Sequence, residues 1–360
     1  MNATSLENLR KLIRWGWVYF LYLSGLTYWA RMRLAASGEV IVLTLHRVLE
    51  DAEASTTRSP SGMIVKKQTF HELLKYIGKG CEIVRLEDAF GPRQAGGKPR
   101  LAITFDDGWK DTGAIAFPLA EQYRMPIAVF VCPALVDKVS PFWPERIIGV
   151  LRAASADVRR KSQFADLCRA AGLDDPSSSH RGAQIEEEKL LSQIKNLSAR
   201  KLQKLVCSAE QLAIHWGNLE APDQFEGTLC WEELIRLHEQ GVSIGSHSQN
   251  HAILTQLEES EVAAELVESK AEIERVLGRP CTLFAYPNGS WSEHVRRSVI
   301  EFGYARAFIN APGLWKRDRD QYLIPRVNLW EGSLIGPFGR FSPAVFLYST
   351  FWRLYRQAGA

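Results

Sequence analysis

Two adjacent carboxylates, Asp106 and Asp107, close the segment Leu101-Ala102-Ile103-Thr104-Phe105-Asp106-Asp107-Gly108-Trp109, and two histidines stand four residues apart in His247-Ser248-Gln249-Asn250-His251. Neighbouring side chains of an extended segment point to opposite sides, so one Asp could bind a metal while the other handles a proton. Histidines at i and i+4 share one face of a helical turn, from which both imidazoles can reach one cation. Two nitrogens and one carboxylate oxygen leave a coordination position open, the pattern of catalytic rather than structural zinc. Taken alone, each motif also fits a blander role: Asp-Asp-Gly as a turn, His-x-x-x-His as a surface or capping feature.

The elements that must position these residues are read from hydrophobic runs. Apolar, β-branched stretches at Val40 to His46, Glu82 to Leu86, Leu101 to Phe105, Pro126 to Val131, Val242 to Ser246, Cys281 to Ala285, Ala305 to Ile309 and Leu323 to Val327 predict eight strands. Helical patterns alternate with them at Gln68 to Gly78, Thr112 to Tyr123, Trp231 to Gln240, Leu257 to Leu277 and Glu293 to Phe302. Glu50 to Gly62 reads as a polar loop. Alternating strands and helices predict an α/β fold with parallel strands, a distorted (β/α) barrel of seven or eight strands whose sites lie at the strands' C-terminal ends. Both the Asp-Asp pair and the His pair begin where a strand ends. From about 142 to 223 the strand pattern stops, and charged segments with helical Leu and Ile spacing predict a helical insertion that could cap the site.

The 360 residues hold 46% hydrophobic side chains, enough for a large core, and a net charge of +3 without a Lys/Arg run, which argues against a nucleic-acid partner. Six scattered cysteines with no C-x-x-C pair read as small buried hydrophobes. Trp15 to Ala30 is an aromatic apolar run with Arg10, Lys11 and Arg14 before it and Arg31 and Arg33 after it. No cleavable signal peptide is expected, because arginines occupy the place where small uncharged residues should precede cleavage. A helix lying in the membrane surface is the first reading, a short spanning anchor the second and a buried core helix the third. The tail Ala344 to Arg356 has the same aromatic and basic character. The chain thus divides into a membrane-associating segment at 1–37, a barrel at 38–335 and a tail at 336–360, with the cytoplasmic face of the membrane the expected location.

At these residues the chain resembles the polysaccharide deacetylases, carbohydrate esterase family four. Thr104-Phe105-Asp106-Asp107-Gly108-Trp109 is similar to the family's first motif, His247 to His251 to its His-Ser/Thr-x-x-His motif, and Phe284-Ala285-Tyr286-Pro287-Asn288-Gly289 to its third. The resemblance runs from about Val40 to Leu329, interrupted by the insertion. It implies Asp107, His247 and His251 as ligands of a divalent metal, zinc first, with cobalt, nickel, manganese or iron(II) as alternatives. It implies Asp106 as the general base, and the backbone N–H of the turn near Tyr286 as an oxyanion donor. The family's late Leu-x-His motif, source of the acid in most members, has no counterpart here. His46, at the end of the first strand, resembles the early histidine of the permuted branch, the poly-N-acetylglucosamine type deacetylases, and is the expected acid; an imidazole suits proton transfer near neutrality. Arg326, in Ile324-Pro325-Arg326-Val327, could orient a carboxylate, contact a sugar or serve only a salt bridge. Trp109, Trp143 and Trp231 could form sugar platforms or belong to the core.

The function implied is metal-dependent hydrolysis of the N-acetyl group of an amino sugar in a glycan or its precursor. The alternatives are a deacetylase or deformylase of a lipid-linked sugar, and a catalytically silent carbohydrate-binding protein.

Overall fold

A computed structural model describes residues 3–37, 39–91, 97–139, 142–175, 183–217, 226–316 and 319–358. All eight expected strands are present: β1 (Val40–Leu45), β4 (Glu82–Ile83), β5 (Arg100–Phe105), β6 (Ile127–Val131), β7 (Ser243–Ser246), β8 (Leu283–Ala285), β9 (Arg306–Ile309) and β10 (Ile324–Asn328). Two short strands that the sequence pattern does not reveal, β2 (Arg47–Leu49) and β3 (Ile64–Lys66), pair in parallel beside them. The segment expected as a loop between them holds a short helix, Asp51–Thr56.

Seven strands close a parallel barrel in the order β1-β10-β9-β8-β7-β6-β5, with β5 returning to β1 from Val40↔Arg100 to Leu45↔Phe105. The eighth strand, β4, pairs only with the start of β5, outside the ring, where β6 does not reach. Strand period two sorts the side chains. Ile41, Leu43, Leu45, Leu101, Ile103 and Phe105 join the helices in the outer core, while Val40, Val42, Ala102, Ala128, Phe130 and Phe308 fill the barrel interior. That inward series, continued from Ala102 through Thr104, aims Asp106 into the barrel mouth.

Between 142 and 217 the chain forms helices at Trp143–Ser155, Val158–Ala170, Ala183–Ile194 and Ala199–His215. Ile147, Phe164, Ile194 and Leu205 anchor a core of their own there, separate from the barrel's. Asp157 starts the second of these helices by accepting the backbone N–H groups of Arg159 and Arg160.

The aromatic N-terminal run is two helices rather than one, α1 (Ala3–Leu23) and α2 (Leu26–Ala36), broken at Gly25, whose φ of 78° a side chain would resist. Val18 of α1 packs on Ala344 and Val345, and the Arg31 guanidinium of α2 donates to the Gly80 carbonyl. The C-terminal tail is helical and packs beside them, with Trp29 edge-on to Tyr355. Among the described residues no helix is long and apolar enough to cross a membrane. All six cysteines are free thiols.

Candidate active site

Asp106 and Asp107 follow β5, and here the chain turns: Asp107 takes φ 74° and Gly108 φ 68°. In an extended chain Asp107 would face away from Asp106. The left-handed turn swings it back, so both buried carboxylates enter the same pocket. Gly108 fits because a Cβ would stand 3.0 Å from Val131 Cγ1.

His247 and His251 follow β7, yet not on the helical turn expected from their spacing. The stretch is a loop with Ser248 at φ 63° and His251 at φ 57°. Glu265 holds that loop by accepting the Asn250 backbone N–H and side-chain amide, and Glu272 accepts from Gln249. Strained backbone at such a place is a cost met only where surrounding bonds over-determine it. His247 is bonded through Nδ1 to the Ala285 carbonyl at 2.7 Å, which fixes the proton on Nδ1 and leaves Nε2 a bare lone pair facing the site.

The Nε2 atoms of His251 and His247 lie 3.3 and 3.6 Å from Asp107 Oδ1. One ligand atom from each of the three residues falls within 4.8 Å of the others. Asp107 Oδ2 accepts the indole N–H of buried Trp109 at 3.0 Å, whereas Oδ1 is enclosed without a hydrogen bond of normal geometry. A buried carboxylate oxygen so placed beside two imidazole nitrogens fits a divalent cation.

Asp106 is held differently. Arg326, fully buried on β10, donates from Nη1 and Nη2 to its two oxygens at 2.6 and 2.7 Å, and Nη1 also reaches Thr104 Oγ1. Of the roles open to Arg326, the structure shows the carboxylate clamp. His46 follows β1, with Nε2 4.0 Å from Asp106 Oδ2 and its Nδ1 buried without a partner. His247 Nε2 lies at the same distance from that oxygen.

Electrostatics follow from this packing. Burial alone would raise both carboxyls, but Arg326, His247 and His46 hold Asp106 below the ordinary range, and His251 with the other two histidines holds Asp107 far below it. Burial pulls His247 down to about 4 against the pull of Asp106 and Asp107. The same burial acts on His251, where the adjacent Asp107 carboxylate prevails and raises it.

Tyr286 itself is bonded into the barrel. Its backbone N–H continues the β8–β9 pairing by donating to Phe308 at 3.0 Å, and its buried hydroxyl donates to the Tyr322 carbonyl. Tyr286's own amide is therefore engaged in the sheet. The turn's contribution to the pocket is Asn288 and Gly289 instead. Gly289 sits at φ 70° with a would-be Cβ 2.6 Å from the Asn310 nitrogen, so the close approach of those two loops requires glycine. Of the three tryptophans, Trp143 lines the pocket, Trp109 is buried under the site and Trp231 packs against the outer core.

Three functional neighbours escape the sequence reading. Arg47, fully buried, donates to Asp111, Thr57 and Ser59 and lies 4.2 Å over the Trp109 ring; Asp111 also accepts the Val48 N–H. This pair fixes the indole that bonds Asp107. Its signal was adjacency: Arg47 follows His46, and Asp111 lies two residues beyond the Asp-Asp-Gly-Trp segment. Glu145, from the first turn of the insertion, is buried in the pocket wall with no hydrogen bond to either oxygen. Burial raises its carboxyl to about 7, its own backbone N–H and the Arg47 charge pulling it down and the Asp107 charge pushing it up. No local pattern marks it, because its burial depends on the insertion folding over the barrel.

The pocket is a cavity of about 490 Å³ whose floor is the Asp–His cluster. Its walls include Met63, Asn310, Asn328 and Trp330 from the barrel loops and Trp143, Leu191 and Lys195 from the insertion.

A family model described as polysaccharide deacetylase matches residues 192–307, a span that takes in both histidines and the Tyr286 turn. A Bacillus subtilis (strain 168) protein named as a polysaccharide deacetylase, YxkH, is 26% identical over 113 residues, which is 31% of this chain and 40% of that protein. The chain thus matches about two fifths of that relative's length. Among solved structures, the Streptococcus pyogenes deacetylase PplD in complex with acetate superposes with a TM-score of 0.54 at 14% identity, covering 87% of this chain and 98% of that one. A Bacillus anthracis protein described as a polysaccharide deacetylase superposes at 0.53 with 15% identity, covering 87% of this chain and 69% of the other. These two share the barrel fold, and the resemblance read from the three motifs is borne out.

Proposed function

We propose that this chain, with the barrel of the polysaccharide deacetylases, is a metal-dependent hydrolase that removes the N-acetyl group of an amino sugar in a glycan or glycan precursor. The observation that carries this reading is the unequal treatment of two neighbouring carboxylates. Asp107 faces two imidazoles with one oxygen unbonded, while Asp106, next to it, is clamped by Arg326. One is built to bind a cation, the other to stay anionic beside it.

Asp107, His247 and His251 would hold the cation, and two nitrogens with one oxygen suit zinc. A divalent ion at that position supplies Lewis acidity, acidifying a water and polarising the acyl carbonyl. Asp106 takes the proton of the attacking water. Arg326 keeps it ionised and fixes both oxygens, so that little reorganisation accompanies the transfer. As hydroxide adds to the acyl carbon and the C–N bond breaks, the departing nitrogen needs a proton, which His46, 4.0 Å from Asp106, supplies. The products are acetate and a free amine.

The insertion narrows the substrate class. Helices from two parts of it wall the cavity, and a cavity of about 490 Å³ has the size of a small-molecule site. A short glycan or a terminal sugar suits it better than the middle of a long polymer. A lipid-linked sugar carrying an acetyl or formyl group is the second reading favoured by the same enclosure.

The test is acetate release by metal-loaded protein from N-acetylglucosamine oligomers of increasing length, alongside release of acetate or formate from lipid-linked N-acylated sugars. Turnover on any of these supports the assignment, and the preferred length decides between the two readings. Stoichiometric metal with no turnover on any of them would leave a carbohydrate-binding role instead.

A further inference from the structure

The ends of the chain form one face that the barrel does not explain. α1 and α2 turn Val18, Leu21, Ala30 and Leu34 inward and pack with the C-terminal helical segment. Their other side is apolar and bare. Ten of the eighteen exposed large hydrophobic side chains among the described residues fall between Leu12 and Met32. They include Trp17, Phe20, Leu23, Tyr28 and Trp29, with Leu23 80% exposed. Concentration of this kind, rather than scattered single residues, marks a surface that meets a partner.

Charge decides which partner. Residues 8–38 carry five Arg or Lys and no Asp or Glu, and residues 332–360 carry three and none. The intervening 39–331 hold 36 Arg and Lys against 40 Asp and Glu, so the body is net negative and the two packed ends are net positive. Arg14 and Arg33 lie 6.0 and 5.4 Å over the rings of Trp15 and Trp29, which puts cations and indoles side by side on the same helices. A second copy docked symmetrically on this face would bring like charges together. An anionic lipid surface meets both features, since tryptophan and tyrosine favour the headgroup boundary and Lys/Arg are drawn to its negative potential.

We propose that the face built by α1, α2 and the C-terminal helical segment docks on the surface of an anionic lipid bilayer, with the two helices lying in the plane of the interface. The break at Gly25 gives two shorter helices, each exposing apolar side chains on the side away from the barrel.

The test is co-sedimentation of the full chain with phosphatidylcholine vesicles, with and without phosphatidylglycerol, at low and high salt. The expected result is binding that strengthens at least about tenfold with phosphatidylglycerol and weakens with salt. The double variant Trp17→Glu/Phe20→Glu, changed only at exposed positions, should lose about tenfold or more of that binding. It should keep the parent's melting temperature and its metal content. Absence of vesicle binding overturns the proposal, as does binding that the double variant retains. A dimer that forms without lipid and dissociates in the variant would assign the face to a second copy and also overturn it.

Discussion

The Arg326 guanidinium reaches across the barrel mouth from β10 and closes two parallel bonds, 2.6 and 2.7 Å, on the carboxylate of Asp106 at the end of β5. Both groups are buried, so the pair is worth most as a constraint: breaking it leaves a charge without a partner.

Arg326→Ala should therefore destabilise the fold by roughly 3–5 kcal/mol, the usual cost of stranding one member of a buried pair. It should also move the acid limb of the pH–rate profile upward. The sign follows from Arg326 being the strongest of the groups that hold Asp106 below its ordinary value. Without it, burial raises the carboxyl and the base protonates at higher pH. Thermal melts and a pH–rate profile check both effects, and an unmoved acid limb in a folded variant would remove Arg326 from the base's control.

His46→Ala should lower kcat by roughly 10²–10⁴-fold on an N-acetylated sugar, the range of a lost general acid, with metal content and melting temperature kept. An aryl acetate, whose leaving group needs no proton, should be cleaved nearly as fast as by the parent. Equal losses on both substrates would show that His46 shapes the site without donating a proton.

Glu145 predicts a pH-dependent stability. Its carboxyl is raised in the fold from 4.5 to about 7, so the unfolded chain releases that proton first. Below about pH 4.5 both states hold the proton and the residue costs nothing. Between there and about pH 7 the folded state is progressively penalised, and above it the penalty is complete, on the order of 3 kcal/mol. Glu145→Gln should melt with the parent at pH 4 and above it at pH 8 in metal-free protein. A variant with the same stability difference at both values would show that the Glu145 carboxyl titrates alike in the folded and the unfolded chain.

The barrel was legible because buried parallel strands write themselves as continuous β-branched runs, and Val40 to Leu45 or Ile127 to Val131 fit no other element. The candidate Asp107, His247 and His251 cluster was legible because the Asp-Asp pair and the His-x-x-x-His segment each begin where a strand ends. What the pattern could not carry was backbone detail. The His247–His251 spacing suits a helical turn, yet Ser248 and His251 adopt left-handed conformations, held by Glu265 from a distant helix. The Tyr286 amide looked available because nothing local reveals that Phe308 accepts it across the sheet. Glu145 lay beyond reach for the same reason, since its burial comes from the barrel, not from its own helix.

Separate roles for the two neighbouring carboxylates are the centre of the account, and metal content measured beside turnover tests them most directly. Asp107→Asn, His247→Ala and His251→Ala should each lose most of the bound metal, because each removes or weakens one of only three protein donors among the described residues. Asp106→Asn should keep stoichiometric metal and lose turnover on an N-acetylated sugar, since an amide cannot accept the water's proton. Metal retained in Asp107→Asn and lost in Asp106→Asn would reverse the two roles and contradict the account.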